Sequence, residues 1–165
     1  MKRKLNVKKK VFLAEQVSVI HQNNNTLKYK DPGCPTIPCF IEEHKIKKAL
    51  LYLGASVNLL LYLVFQSLNL GELKPTSVTL FLVDRSVKVP RGVVEVVLAQ
   101  FENFIYHVDF IVLDTQHVKA FNSILVMLGH PFLTTYNALI NCRNGVMKLS
   151  FGNMILEMNV FNICK

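Results

Sequence analysis

One stretch of this chain has the residue types and spacing that suit a site for chemistry. Leu50 to Leu53 is an apolar run, Gly54-Ala55-Ser56 is a turn of small residues, and Val57 to Leu60 is mostly apolar again. A buried strand that ends in a Gly-Ala turn exposes backbone groups that side chains cannot crowd, and a ligand or a second backbone segment can approach such a turn closely. Residues 50–60 are therefore the first candidate site.

The other residue types that perform chemistry show no useful spacing. The histidines are scattered along the chain, and with Cys34 or Cys142 they suggest no pair of nucleophile and base. The four cysteines fit no common zinc pattern, and the sequence has no glycine-rich phosphate loop. We therefore expect no metal and no cofactor. We interpret the cysteines as reduced thiols of an intracellular protein, with the cytoplasm as the expected compartment.

The candidate stretch resembles the active-site loop of retropepsin-like aspartic proteases, in the form found in plant Ty3/gypsy-type retrotransposon polyproteins. That family usually has Leu-Leu-Asp-Leu-Gly-Ala-Ser here, and this chain has Tyr52 in place of the aspartate, followed by Leu53, Gly54 and Ala55. The resemblance runs from about Lys28 to Lys165 and includes six further segments: Lys30–Pro35, Gly71–Ser77, Asp84–Gly92, Val108–Asp114, Leu128–Leu133 and Asn141–Gly145.

The resemblance implies aspartic proteolysis, but this chain lacks the carboxylate that the reaction needs. Aspartic proteolysis needs two carboxylates that share one proton, and a retropepsin chain supplies one, so that the site forms between two subunits of a homodimer. A phenol, with a reference pKa of about 10, stays protonated near neutral pH and cannot take a proton from water as a carboxylate does. We therefore expect a degenerate, catalytically inactive copy of an aspartic-type endopeptidase domain.

No other aspartate is placed to substitute for the missing one. The chain has four: Asp31 in an entry turn, Asp84 in a later turn, Asp109 within a predicted strand, and Asp114, which lacks a following Thr-Gly. The resemblance also implies that residues around the turn Asp84-Arg85-Ser86 form the flap that covers bound peptide. Two further positions depart from the family, since His130 stands where relatives usually have Arg and Leu61 where they usually have Pro.

The elements that must position this loop are predicted to be mainly strands. Two helices are predicted in addition, at Leu59–Leu68 and Pro131–Leu139. The resemblance implies that Ile124–Leu128 leads into Gly129 beneath the loop. The predicted strands are Thr36–Ile41, Lys45–Leu53, Ser77–Val83, Val87–Gln100, Phe104–Leu113 and a hairpin over Val146–Met158. The expected fold class is a mainly β, retropepsin-like closed barrel with one or two short helices.

Charge and composition divide the chain in two. The net charge of +8 is concentrated in Met1–Lys10, which carries six basic residues and no acid, so the remainder is close to neutral. We assign residues 1–30 to a basic tail and linker and residues 31–165 to the protease-like domain. The tail is interpreted as a solvated linker, with nucleic-acid contact as the weaker alternative because no aromatic residue lies among its lysines.

Three other interpretations remain open at this stage. The domain could be a non-enzymatic module that dimerises or binds a peptide or polyprotein segment under the flap by strand addition. Residues 49–70 carry no charge and are long enough to span a bilayer, although Gly54, Ser56 and Asn58 interrupt the stretch. The chain could also be an unexpressed genomic relic, which no residue excludes.

Overall fold

The computed structural model describes residues 28–114 and 126–161, and within them the chain is mainly β. By its internal contacts the chain divides into two units, Met1–Asp31 and Pro32–Lys165, and every described strand and helix lies in the second. The helices are α1 (Tyr62–Leu68) and α2 (His130–Thr135). The strands are β1 (Thr36–Ile41), β2 (His44–Leu51), β3 (Leu59–Leu61), β4 (Leu80–Phe81), β5 (Val87–Lys88), β6 (Gly92–Phe101), β7 (Phe104–Leu113), β8 (Val126–Leu128), β9 (Leu139–Asn141), β10 (Val146–Phe151) and β11 (Met154–Asn159).

Six strands close into a barrel in the order β1-β2-β8-β3-β7-β6, as the fold class predicted. The most extensive pairing among these strands is between β6 and β7, which form a hairpin. Its turn includes Glu102, whose backbone is left-handed with a φ of 52°. Along β7, buried and exposed side chains alternate up to Asp109, and then Phe110 to Leu113 are all buried. The strand therefore faces solvent on one side at its start and is covered on both sides at its end.

Strand β8 is inserted between β2 and β3, which fixes the path of the chain at the candidate site. It pairs in parallel with β2, with Val126 opposite Ala49, whereas its pairing with β3 is antiparallel. Because β2 and β3 are not neighbours, the segment that joins them must pass across the end of β8. The loop 52–58 is that segment.

The predicted helix at Leu59–Leu68 is wrong for its first three residues. Leu59 to Leu61 pair in parallel with Ile111–Leu113 of β7, so the backbone stays extended until Tyr62. The burial and pairing gained in the barrel outweigh the helical tendency of a leucine run. The predicted end of this helix at Leu68 is confirmed, and Asn69, whose backbone is left-handed (φ 51°), caps the last turn.

Other boundaries differ for comparable reasons. Helix α2 ends at Thr135 instead of Leu139, because Leu139 begins β9 at the edge of a three-stranded sheet ordered β11-β10-β9. The predicted strand over 87–100 is broken into β5 and β6 at Pro90, which cannot donate a ladder hydrogen bond. The predicted strand over 77–83 is reduced to Leu80–Phe81, and β2 ends at Leu51. The hairpin of β10 and β11 with its turn at Gly152 is confirmed.

The core connects the barrel, α2 and the three-stranded sheet. Its aromatic part is a cluster in which the ring of Tyr106 lies against the rings of four residues from other elements. These are Phe101, Phe132, Tyr136 and Phe151. Because the clustered rings include members from β6, β7, α2 and β10, one packed cluster holds the helix and the sheet to the barrel.

Candidate active site

The loop 52–58 is held at two points, one at the end of β8 and one at the start of α2. The amide of Tyr52 donates to the carbonyl of Leu128 at 3.0 Å, and the amide of His130 donates to the carbonyl of Ala55 at 2.8 Å. The amide of Ala55 returns to the carbonyl of Tyr52 at 3.1 Å and closes the turn. The loop therefore has a backbone geometry set by the barrel.

Gly129 allows this crossing because it has no side chain. A Cβ at that position would lie 2.2 Å from the carbonyl oxygen of Val57 and 2.7 Å from that of Ala55. Both obstacles are backbone atoms, so neither could move without opening the loop. The predicted apolar strand that leads into Gly129 beneath the loop is confirmed for Val126–Leu128.

Asn58 ends the loop and holds it to β7 and to Gly129, the residue that follows β8. Its side chain is buried, its Oδ1 accepts from the amide of Gly129 at 2.8 Å, and its Nδ2 donates to the carbonyl of Asp109 at 3.1 Å. Its own carbonyl accepts from the amide of Ile111 at 2.9 Å. This role of Asn58 was not predicted from the sequence. The available signal was one amide side chain between the apolar Val57 and Leu59, just before a buried strand.

Tyr52 lies at the start of the loop with its ring folded over Gly54. A Cβ built on Gly54 would lie 3.1 Å from the Cζ of Tyr52, so the ring covers the glycine. Tyr52 is nonetheless 42% exposed, and Leu53 is 62% exposed. The structure thus places all four predicted loop residues, Tyr52, Leu53, Gly54 and Ala55, in one turn at the surface of the chain.

Asp84, Asp109 and Asp114 each interact with groups outside this turn. Asp109 accepts the amide of Val96 at 2.8 Å, in a bulge of β6 where Val96 has a φ of 57°. Asp114 pairs with Arg91 at 2.6 Å, and Asp31 is an exposed residue that precedes β1. Asp84 lies in the turn between β4 and β5.

The three residues predicted for the flap, Asp84, Arg85 and Ser86, form the turn of the β4–β5 hairpin. Asp84 accepts from both the amide and the hydroxyl of Ser86, at 2.9 and 2.6 Å, and these bonds lower the pKa of its carboxyl. Arg85 has a left-handed backbone (φ 66°) and its amide donates to the carbonyl of Leu82 at 2.9 Å. Below the turn, Leu80 belongs to a small apolar cluster that Val57 also contacts, which links the hairpin to the loop.

A surface cavity of about 300 Å³ lies between the loop, β7 and α2. Ser56, His107, Asp109 and Thr135 contribute polar groups to it. Within the described ranges, no three His, Cys, Asp or Glu side chains come together as a metal site would require. The buried Cys39 is also unsuited to nucleophilic chemistry, because burial raises the pKa of its thiol to about 12.

Comparison with known proteins identifies the fold. No family model matches the sequence, and no curated protein matches it. Among solved structures, the retroviral protease-like domain of Ddi1 from Leishmania major matches with a TM-score of 0.56 and 14% identity, over 78% of this chain and 97% of that one. The EIAV protease in complex with the inhibitor HBY-793 matches with a TM-score of 0.48 and 17% identity, over 70% and 99%. The first match and the closed barrel together identify a retropepsin-like fold, as expected.

Proposed function

We propose that this chain is a retrotransposon-derived aspartic protease domain that has lost catalytic activity at Tyr52. The observation that carries the proposal is the contrast between Tyr52 and its surroundings. The crossing at Gly129, the bonds of Asn58 and the turn Leu53-Gly54-Ala55 form an intact loop scaffold, and the residue that begins the loop is a phenol.

The chemistry of the loop follows from that residue. A carboxylate pair would hold a water between its oxygens, with one group acting as base and the other as acid. Tyr52 has no carboxyl group, and its ring occupies the room above Gly54, so it offers neither of the two carboxylate oxygens nor space for a water. Peptide hydrolysis by the aspartic mechanism is therefore not expected from the native chain.

The same proposal includes a homodimer. In a homodimer that joins two copies of the loop at a two-fold axis, Tyr52 and Leu53 of each copy lie at the seam, consistent with their exposure in one subunit. A peptide or polyprotein segment would then bind beneath the β4–β5 hairpins by strand addition. Peptide binding and dimerisation are thus the properties that would remain once catalysis is lost, and the domain would be a non-enzymatic module.

The decisive experiment compares the purified native chain with Tyr52→Asp and Tyr52→Asn on an unfolded protein substrate at acidic and neutral pH. We expect no cleavage by the native chain or by Tyr52→Asn, and a gain of at least about a hundredfold over background for Tyr52→Asp. Cleavage by the native chain would overturn the proposal. A folded, dimeric Tyr52→Asp protein without activity would show that Tyr52 alone does not account for the loss.

The membrane alternative depends on residues 49–70, which the structure divides among β2, the loop, β3 and α1. Of the helices in the described ranges, none has the length and apolar character needed to cross a bilayer. The basic tail lies almost wholly outside the described residues, so its assignment as a linker, and its weaker alternative as a nucleic-acid contact, stay predictions.

A further inference from the structure

The β4–β5 hairpin is attached to the barrel by few buried contacts. Each of its strands has two residues, and most of its apolar side chains are exposed, including Phe81 at 79% and Val83 at 90%. Within residues 75–90 the buried residues are Leu80, in a cluster with Ile111 and Leu113 that is separate from the main core, and Pro90, next to Arg91. A segment with so little burial opens at a lower free energy than the barrel strands do.

The chain enters the hairpin from a firmly held position at Lys74. The amide and carbonyl of Lys74 form two hydrogen bonds with Val93 of β6, each 2.9 Å long, and its ammonium pairs with Glu95. Gly92 packs directly beneath it, since a Cβ there would lie 2.6 Å from the carbonyl oxygen of Lys74. Residue 74 is therefore a fixed end.

The chain leaves the hairpin through Arg91, which contacts three groups at once. Its amide donates to the carbonyl of Val112 in β7 at 2.9 Å. Its guanidinium donates to Oδ2 of Asp114 from Nη2 at 2.6 Å and from Nε at 3.1 Å. The same guanidinium lies over the ring of Tyr62 in α1, with Cζ 3.8 Å from the ring centroid. One residue thus holds the end of the hairpin to β7 and to α1.

We propose that Arg91 holds the β4–β5 hairpin closed, and we call its contacts with Asp114 and Tyr62 the lock. Residues 75–90 open and close as one unit between the fixed ends at 74 and 91, and the contacts of Arg91 with Asp114 and Tyr62 set how often the unit opens. Arg91 acts as a positioning residue for the hairpin. The lock does not depend on the chemistry of Tyr52, so it holds whether or not the chain is a protease.

The geometry requires arginine and not merely a positive charge. A planar guanidinium can donate two hydrogen bonds to a carboxylate while its face lies on an aromatic ring, whereas a lysine ammonium offers a compact charge without a face to stack. An exposed ion pair and an exposed cation–π contact are each weak, so their combined loss should raise the opening frequency by only about three- to tenfold.

Hydrogen exchange measured by mass spectrometry on the full chain tests the lock. The variants are Arg91→Ala, Arg91→Lys and Asp114→Asn, and the control is Lys148→Ala, which removes a pair with Glu157 of similar exposure (49% and 55%, against 46% and 53% for Arg91 and Asp114). We expect about three- to tenfold faster exchange at residues 75–90 for Arg91→Ala, a smaller increase for Arg91→Lys and Asp114→Asn, and none for Lys148→Ala.

Two results would overturn the proposal. One is unchanged exchange at residues 75–90 in Arg91→Ala. The other is an increase that spreads equally to β1 and β10, since that would mean a loss of global stability and not the release of a hinge. If Arg91→Ala fails to fold, Arg91→Lys and Asp114→Asn decide the question by the same two criteria, because both preserve the bulk of the replaced side chain.

Discussion

Among single residues, Asn58 and Tyr52 bear on two different properties of the loop, its backbone geometry and its chemistry. Asn58 keeps its backbone geometry, through bonds to the amide of Gly129 and to the carbonyl of Asp109. Under the proposed function, Tyr52 determines its chemistry, because a phenol stands where the proposal requires an acid; its ring also covers Gly54. A third residue, Tyr106, should lower the stability of the core. Its hydroxyl is buried without a hydrogen-bond partner among the described residues.

We predict that Tyr106→Phe raises the free energy of unfolding by about 1 kcal/mol, because it removes a buried hydroxyl that makes no hydrogen bond. Tyr136→Phe is the matched control. The hydroxyl of Tyr136 donates to the carbonyl of His107 at 3.2 Å in the same aromatic cluster, so its removal should cost about 1 kcal/mol. Urea denaturation of both variants checks the signs. A loss of stability in Tyr106→Phe equal to that in Tyr136→Phe would contradict this account of the core.

At the level of elements, the crossing of the loop over β8 and the attachment of the β4–β5 hairpin are the two features that shape the site. The crossing is rigid because Asn58 is buried with its hydrogen bonds and Gly129 leaves no spare room. The hairpin is held at its two ends and by Leu80. We therefore infer that the loop crossing is fixed and that the hairpin has a lower local stability.

Asn58→Ala tests the crossing. It would leave the amide of Gly129 and the carbonyl of Asp109 without their partner, at a cost of about 1–3 kcal/mol for each unpaired group. The control, Asn153→Ala, alters an exposed turn between β10 and β11 and should change stability by less than about 0.5 kcal/mol. Equal midpoints of urea denaturation for the two variants would refute the role given to Asn58.

The hairpin turn should respond to acid. Because the hydroxyl and amide of Ser86 lower the pKa of Asp84 below its ordinary 3.8, the folded turn binds this proton less readily than the unfolded chain does. Its contribution to stability is present above the unfolded pKa and is lost as pH falls through the lowered folded pKa. The Ser86 amide resonance should therefore shift below about pH 4 in an NMR titration. If the shift persisted in Asp84→Asn, another group would be responsible.

At the level of the whole molecule, much of the fold was predictable because the strongest patterns coincide with the strands buried in the barrel. The bounds of β1 and β7 and the hairpin of β10 and β11 agree with the sequence analysis. Leu59–Leu61 and Leu139 were misassigned because pairing with distant strands decided their conformation, and such pairing has no local signal. The loop residues were identified by resemblance, whereas Asn58 was missed because only the insertion of β8 explains it.

The proposed dimer gives a prediction for mixed chains. When Tyr52→Asp chains exchange subunits with an equal amount of native chains, about half of the Tyr52→Asp subunits pair with a native subunit and lose the second carboxylate. Activity per Tyr52→Asp chain should therefore fall to about half. Unchanged activity, with heterodimers demonstrated by mass spectrometry, would mean that each subunit carries a complete site.

The most direct test of the central claim is the pH dependence of cleavage by Tyr52→Asp. If position 52 is the place of the missing carboxylate, two copies share one proton across the dimer, and kcat/KM should follow a bell-shaped curve with one acidic and one more basic limb. Native chain and Tyr52→Asn should show no activity at any pH. A flat profile, or cleavage of equal rate by Tyr52→Asn, would contradict the claim that Tyr52 occupies the catalytic position.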